Sequence, residues 1–267
     1  MQHVYSTDNT NNVNPFWYFH KTSKNIYPIE IGYKQILSLE VPYNKQLTNE
    51  ACKKGCNLFA RNGGCPPYSP DFAEIRDWYP YAQAIYARLF TRFYPPKVAE
   101  GNFYVRWNFV DALMARMMTR TGKYLCNFLG GILLNAGHCT ECGAKRCAFK
   151  EGERTCRNPG KRTFSLESTG VLATNLMKQQ FNIPLLWFNK KKPDYFPEYM
   201  IKLMLVLTKQ EIPLDTLSIW VRHCFNSLPN AYTPPSQSEK EKLLARDWRK
   251  SEIFTIGKRK VDEKYEQ

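Results

Sequence analysis

Seven of the nine cysteines in this chain fall into two short segments, and this clustering constrains the fold more than any other feature. The later, four-cysteine segment has the spacing C-x2-C-x4-C-x8-C and comprises Cys139, Cys142, Cys147 and Cys156. The earlier, three-cysteine segment has the spacing C-x3-C-x8-C, runs directly into Pro66-Pro67, and comprises Cys52, Cys56 and Cys65. Thiolates this close along a chain can bind one metal centre without distant residues.

The cysteine distribution favours metal ligation over disulfide bonds. The count is odd, and residues 1–5 lack the basic and apolar regions of a secretory signal. The longest apolar stretch, residues 124–137, is too short to cross a membrane. We therefore predict reduced, metal-binding cysteines in a cytoplasmic protein that does not associate with membranes.

The spacing of the four-cysteine segment suits either a 4Fe-4S cluster or a structural zinc ion. We predict a fully ligated 4Fe-4S cluster there, with zinc as the alternative. Three thiolates in the earlier segment would leave one iron of a second 4Fe-4S cluster open to substrate, water or sulfide. The candidate cofactor and metal ligands are therefore the seven clustered cysteines, and the open-site candidates are Cys52, Cys56 and Cys65.

A fourth ligand from elsewhere would close the three-cysteine site. The sequence offers four candidates, which are Cys126, Cys224, His138 and His223. Each histidine adjoins a cysteine, although a lone histidine is more often structural than a ligand. Cys126 lies in an apolar stretch, where we expect a buried core thiol.

The chain is strongly basic, with 38 Lys and Arg residues against 24 Asp and Glu and a net charge of +14. This charge predicts an anionic small molecule or a redox partner protein as the binding partner. Nucleic acid also remains open, although interleaved aromatic and basic residues are missing. Basic residues around the four-cysteine segment either serve the cluster and an anionic substrate or form a solvated loop balanced by acids; they are Lys145, Arg146, Lys150, Arg154, Arg157, Lys161 and Arg162.

The remaining pattern predicts an α/β or α+β fold, in which a mixed sheet with flanking helices carries both cysteine segments at one end. We expect a loosely ordered arm over residues 1–27, a single domain over 28–235 and a charged tail over 236–267. Apolar patterning predicts strands at 29–31, 36–41, 84–90 and 183–188. It predicts helices at 71–78, 108–130, 165–180, 197–209 and 215–225.

Two ordered motifs resemble the signatures of a family called predicted metal-binding protein, domain of unknown function 2284. The first is Cys52-x3-Cys56 followed by Asn62-Gly63-Gly64-Cys65-Pro66-Pro67-Tyr68-Ser69-Pro70. The second comprises Ala136-Gly137-His138-Cys139-x2-Cys142, then Cys147, Cys156-Arg157-Asn158-Pro159 and Arg162-x2-Ser165-x-Glu167-Ser168-x-Gly170. The resemblance spans about residues 45–190 and implies a cysteine-bound metal or iron–sulfur centre without specifying a reaction.

Three functional hypotheses follow. The first is an iron–sulfur protein with two clusters, one of them with an open iron for sulfur transfer or redox chemistry on an anionic substrate. The second is an electron-transfer partner protein with closed clusters. The third is a zinc-stabilised module that binds nucleic acid. If the protein is an enzyme, we expect an iron–sulfur-dependent sulfur transferase or oxidoreductase, because hydrolase triads and dinucleotide-binding motifs are missing from the sequence.

Overall fold

A computed structural model describes residues 15–143, 146–189, 191 and 195–250. Its centre is a seven-stranded mixed sheet with the order β5-β4-β6-β3-β2-β1-β7. The strands are β1 (Phe16–Lys21), β2 (Ile26–Leu37), β3 (Tyr81–Phe90), β4 (Ile132–Asn135), β5 (Phe164–Ser165), β6 (Tyr199–Thr208) and β7 (Ala231–Tyr232).

The described helices are α1 (Lys45–Gly55), α2 (Phe72–Trp78), α3 (Pro96–Ala99), α4 (Phe103–Val110), α5 (Arg116–Leu129), α6 (Ala173–Phe181), α7 (Leu214–Asn226) and α8 (Gln237–Leu244). A π-helical turn, Asp111–Ala115, joins α4 to α5 without a break. Short 3-10 turns occur at Ser38–Glu40, Thr91–Phe93, Ala148–Glu151, Pro159–Lys161, Glu167–Thr169 and Trp248–Lys250.

The sheet is buried on both faces. Along β3, Ile85 and Leu89 pack towards α5 and α7 on one face, whereas Ala84 and Tyr86 belong to the core on the other face. Helices α2 and α6 cover that second face. Burial on both sides explains why the central strands read as continuous apolar runs.

The pairing of the sheet leaves an opening beside β6. Strand β4 pairs antiparallel with β6 only from Leu205 to Leu207, so the first half of β6 has no β4 partner. Strands β4 and β5 run parallel, and their carboxyl ends both point towards this unpaired half. Ligands of α/β sheets characteristically bind outside the carboxyl ends of parallel strands.

The predicted mixed sheet with flanking helices is confirmed, and several elements match closely. The predicted helix at 71–78 is α2, and Asp71 caps it by accepting a hydrogen bond from the Ala73 N–H at 2.9 Å. The helix predicted at 215–225 is α7. The long helix predicted at 108–130 exists as α4, the π turn and α5, with Met114, Met117 and Met118 buried as predicted for core residues.

Four predicted elements are wrong in whole or in part. Of the strand predicted at 36–41, only residues 36 and 37 belong to β2, and Ser38–Glu40 forms a 3-10 turn. Residues 197–209 form strand β6 instead of a helix, because an apolar run buried on both faces lacks the alternation that identifies a strand. Residues 183–188 form no strand. The helix predicted from residue 165 begins at Ala173, after a short 3-10 turn that ends at Gly170 with φ of +107°.

The predictions for the two ends of the chain are partly wrong. The loosely ordered arm predicted for residues 1–27 is wrong for Phe16–Lys21, which forms β1 between β2 and β7. Helix α8 lies within the predicted charged tail. Residues 1–14 and 251–267 lie outside the described part of the chain. Within the described ranges, none of the helices has the length and hydropathy needed to cross a membrane.

Candidate metal centre and adjoining cavity

The three-cysteine segment begins on the last turn of α1. Cys52 lies in that turn, and Cys56 directly follows the helix. Because the two residues are four positions apart, both lie on the same face of α1. The Lys45 ammonium fixes the start of this helix by donating hydrogen bonds to the carbonyl oxygens of Pro70 (3.0 Å) and Ser168 (2.7 Å). Helix α1 is thereby attached to the segments that flank both cysteine groups.

Cys65 is the buried member of the trio, with 6% of its surface exposed. Its backbone N–H donates to the Asn62 carbonyl at 3.0 Å, in a turn that leads into the cis Pro66-Pro67 bond. Burial, together with smaller contributions from negative charge on Cys56 and Cys52, raises the pKa of the Cys65 thiol to about 12. The three thiols therefore lie within electrostatic range of one another.

Two N–H groups point at sulfurs of the four-cysteine segment. The backbone N–H of Gly63 donates to Cys147 Sγ at 3.4 Å, and Asn158 Nδ2 donates to Cys142 Sγ at 3.8 Å. Hydrogen bonds of this kind stabilise thiolates and tune thiolate-ligated clusters. Gly63 belongs to the three-cysteine segment, so one cysteine group supplies a donor to the other.

The two cysteine segments pack directly against each other. Asn62 Nδ2 donates to the Cys139 carbonyl at 3.0 Å, and Arg162 Nε donates to the Gly63 carbonyl at 2.7 Å. Gly64 lies so close that an added Cβ would stand 2.4 Å from the Thr163 carbonyl and 2.8 Å from Cys139 Cβ. Only glycine allows this approach, which makes the two segments one structural unit.

No group of three or more His, Cys, Asp or Glu side chains among the described residues is already arranged to hold a metal ion. The seven predicted ligands therefore stay predictions. Thiols must lose their protons before they bind a metal, and binding orders the ligands as it releases those protons. The donor set fits thiolate ligation in its chemistry: clustered cysteines, N–H groups at two sulfurs, and a glycine contact that brings Cys139 to the three-cysteine segment.

All three cysteines of the first segment line a cavity of about 950 Å³. Its other walls come from α1, the carboxyl ends of β4 and β5, the first turn of α6 and the unpaired half of β6. A smaller chamber of about 230 Å³ adjoins it and shares several wall residues, including Trp107, Asp111, Glu167, Trp187 and Lys202. The volume of the larger cavity lies within the range of about 300–1,000 Å³ that is typical of sites for small organic molecules.

Charged groups meet where the two chambers join. Lys202 of β6 forms an ion pair with Asp111 at 2.7 Å, and its ammonium lies 5.6 Å from the centre of the Trp107 ring. Asp111 is the first residue of the π-helical turn, a distortion that often occurs at functional sites. Glu167, which follows β5, accepts a hydrogen bond from the Ser165 hydroxyl at 2.8 Å.

The four candidates for a fourth ligand occupy different places. His138 lines the cavity together with the trio, and burial lowers the pKa of its imidazole. Cys224 is fully buried among core side chains and Cys126 packs against the same core, and burial raises the pKa of these thiols to about 11 and about 12. His223 contacts the rings of Phe128 and Trp220 on the α5–α7 side.

The basic residues near the four-cysteine segment divide into two groups. Arg157 pairs with Glu151 and Glu153, as expected for a solvated loop balanced by acids. Arg162 connects the two cysteine segments and lies 5.2 Å from the Phe149 ring centre and 4.8 Å from that of Phe164. The exposed members of the set are Arg146, Lys150, Arg154, Arg157 and Lys161, and Lys145 lies outside the described residues.

Sequence reasoning missed most of the cavity wall. Asp111 and Lys202 are each a single charged residue within an apolar run. Because buried charges are rare unless they are paired, this pattern is a sequence signal of a paired or functional residue. Their pairing could not be read from the sequence, because β6 was mistaken for a helix. Glu167 appeared only as part of a motif.

The comparisons with known proteins identify a family. A family model described as predicted metal-binding protein (DUF2284) matches residues 34–207, which run from the last part of β2 into β6 and include both cysteine segments. Searches of curated proteins and of solved structures returned no match.

Proposed function

The chain belongs to the DUF2284 family of predicted metal-binding proteins, and from this premise we propose that it is an iron–sulfur protein with two 4Fe-4S clusters. Cys139, Cys142, Cys147 and Cys156 would hold one cluster through four thiolates. Cys52, Cys56 and Cys65 would hold the other and leave one iron without a protein ligand. Such clusters supply one-electron transfer and, at an open iron, a coordination position for a substrate or sulfur atom.

One observation carries this proposal: all three cysteines of the smaller group line a cavity large enough for a small molecule. A purely structural zinc site is closed by four ligands and needs no adjoining cavity. The four-cysteine segment touches the three-cysteine segment through Gly64 and Cys139. This proximity supports electron transfer from the four-cysteine cluster to the reaction at the three-cysteine cluster.

The residues of the chain have distinct tasks in this proposal. The N–H groups of Gly63 and Asn158 stabilise negative charge on Cys147 and Cys142. The Arg162 side chain holds the two segments together. The wall that includes Trp107, Asp111 and Lys202 binds and orients the ligand and limits access of water. If the protein is an enzyme, sulfur transfer or a reductive step is the reaction class that this arrangement supports.

Anaerobic purification followed by iron and acid-labile sulfide analysis tests the proposal. We expect a brown protein with thiolate-to-iron absorbance and roughly eight iron and eight sulfide per chain, the content of two 4Fe-4S clusters. A colourless protein with stoichiometric zinc would contradict it and favour the zinc-stabilised module. Steep salt dependence of nucleic-acid binding would then test that module.

His138 decides between an open iron and a closed electron-transfer site, because it lines the same cavity as the trio. We expect His138→Ala to keep the cluster content and the EPR signal of the dithionite-reduced protein. The control is His223→Ala, which removes a histidine that contacts Phe128 and Trp220. Loss or conversion of one cluster in the His138 variant alone would favour the closed electron-transfer protein.

A further inference from the structure

The junction of the two chambers has a charge opposite to that of the whole chain. We propose that it binds a small organic cation, a protonated amine on a compact apolar body, with its nitrogen near Glu167 and its body in the chamber of about 230 Å³. This inference deepens the proposed function, because it names the class of molecule that would meet the three-cysteine segment. It rests on that function only for the role of the ligand, since binding itself depends on the cavity wall.

Among the described side chains that line both chambers, one negative charge has no ion-pair partner. Asp111 and Lys202 neutralise each other across 2.7 Å. Glu167 lines both chambers, and its carboxylate accepts a hydrogen bond from the uncharged Ser165 hydroxyl at 2.8 Å. Among the described residues that line the two chambers, the other charged side chains are the Asp111–Lys202 pair, and Lys45, whose ammonium bonds to backbone carbonyls nearby, lines neither chamber. A cation entering the junction therefore meets a carboxylate without an ion-pair partner, and an anion is repelled by the same carboxylate.

The helix termini at the cavity do not reverse this sign. The first turn of α6 lines the larger chamber and contributes positive potential, equivalent to about half an elementary charge at most. The end of α1 lies in the same wall at Cys56 and contributes negative potential of similar size. The two contributions oppose each other, and the full charge of Glu167 remains.

Aromatic rings complete a site suited to a cation. Trp107 and Trp187 stack with ring centres 6.1 Å apart, and both line the two chambers. Trp187 remains 52% exposed although it is a large apolar side chain, and an indole attracts a cation that lies over its accessible ring face. Val110, Leu185, Met200 and Leu203 supply an apolar floor in the smaller chamber.

This ligand class differs from the anionic molecule that the overall charge predicts. The +14 charge is a property of the whole chain. It attracts anionic partners only to places where the local potential is also positive. The cavity combines acidic groups with an aromatic wall, so its local potential differs from that of the surface. The anionic-substrate prediction therefore describes the outer surface of the chain better than this cavity.

The test is isothermal titration calorimetry of the full-length, anaerobically purified protein with two probes of similar shape. The first is 2-phenylethylamine, a cation at neutral pH, and the second is 3-phenylpropionate, an anion. We expect the amine to bind at least about tenfold more tightly than the carboxylate. Equal affinity, preference for the carboxylate, or no binding of either probe would overturn the inference.

Matched variants locate the binding. Glu167→Gln keeps the size of the side chain and its acceptor for Ser165, and we expect it to weaken amine binding about three- to tenfold. Trp187→Leu should weaken it about two- to fivefold through loss of the ring face. The controls are Glu211→Gln and Trp78→Leu, which remove exposed residues of the same types outside the cavity wall. Unchanged amine affinity in the Glu167 variant would overturn the inference.

Iron and sulfide analysis of the same samples separates this inference from the proposed function. An iron–sulfur protein that prefers the carboxylate contradicts the amine site alone. A zinc protein that binds the amine through Glu167 contradicts the iron–sulfur function alone.

Discussion

At the scale of single residues, the contact between the two cysteine segments depends on a few N–H groups and one glycine. Gly63 and Asn158 direct N–H groups at Cys147 and Cys142, and Gly64 touches Cys139. The sequence predicts cysteines as ligands from their spacing, but it does not reveal these donors, because Gly63 and Cys147 are 84 residues apart. Each contact gives a testable consequence at one position.

Replacing Asn158 should weaken metal binding without unfolding the chain. In Asn158→Leu the Cys142 sulfur loses its N–H donor, and removal of a group that supports a metal ligand typically lowers metal affinity about tenfold or more. Metal release to a competing chelator measures the change. Asn230→Leu, which removes an Asn side-chain hydrogen bond to Lys21 at the sheet edge opposite β4 and β5, is the control. Equal release rates in both variants would refute the role of Asn158.

A methyl group at Gly64 should push the two cysteine segments apart. The added carbon would lie 2.4 Å from the Thr163 carbonyl, so we expect Gly64→Ala to lower the free energy of unfolding by about 1–3 kcal/mol and to reduce metal content. Gly160→Ala is a close control, because a Cβ there meets no atom within 4 Å. Denaturant titration and metal analysis provide the readouts, and identical results for the two variants would contradict the close packing.

At the scale of elements, helix α1 presents Cys52 and Cys56 because it is held at both cysteine-flanking segments. Asn44 caps it by accepting a hydrogen bond from the Leu47 N–H at 2.9 Å, and Lys45 ties it to Pro70 and Ser168. The spacing of Cys52 and Cys56 predicted a shared metal site, whereas this helix was not predicted. Helix α2 was predicted correctly, because its Asp71 cap is a local signal that tertiary contacts do not alter.

Strand β6 shows why other elements could not be predicted. Its residues Leu203–Leu207 are all buried, since both faces of the sheet are covered, so the alternation that identifies a half-buried strand is missing. The error hid the position of Lys202 opposite Asp111. The cavity wall was therefore out of reach of sequence reasoning, even though the cysteines were not.

Removal of the Lys45 ammonium should loosen α1. Lys45→Met keeps an unbranched side chain but loses two hydrogen bonds from a charged donor, and we expect the free energy of unfolding to fall by about 1–3 kcal/mol. Lys53→Met on the same helix is the control, because Lys53 is exposed. Chemical denaturation monitored by circular dichroism compares them. A loss no larger than that of the control would show that Lys45 does not anchor the helix.

At the scale of the whole molecule, the fold joins three features that are distant in sequence. The three-cysteine segment precedes β3, the four-cysteine segment follows β4, and Lys202 lies on β6. The sheet brings them to the carboxyl ends of β4 and β5, with both cysteine segments in contact and one of them open to the cavity. Under the proposed function, this arrangement would let the four-cysteine group supply electrons while the three-cysteine group meets a ligand.

The most direct test of the central claim is the iron and sulfide content of a variant that lacks Cys52, Cys56 and Cys65. With all three replaced by alanine, we predict loss of about half the iron and sulfide, because one of two 4Fe-4S clusters is removed. Cys224→Ala, which changes a fully buried core cysteine, should keep the full content. Circular dichroism verifies that each variant is folded. Full retention of iron and sulfide by the folded triple variant would contradict a cluster at the cavity.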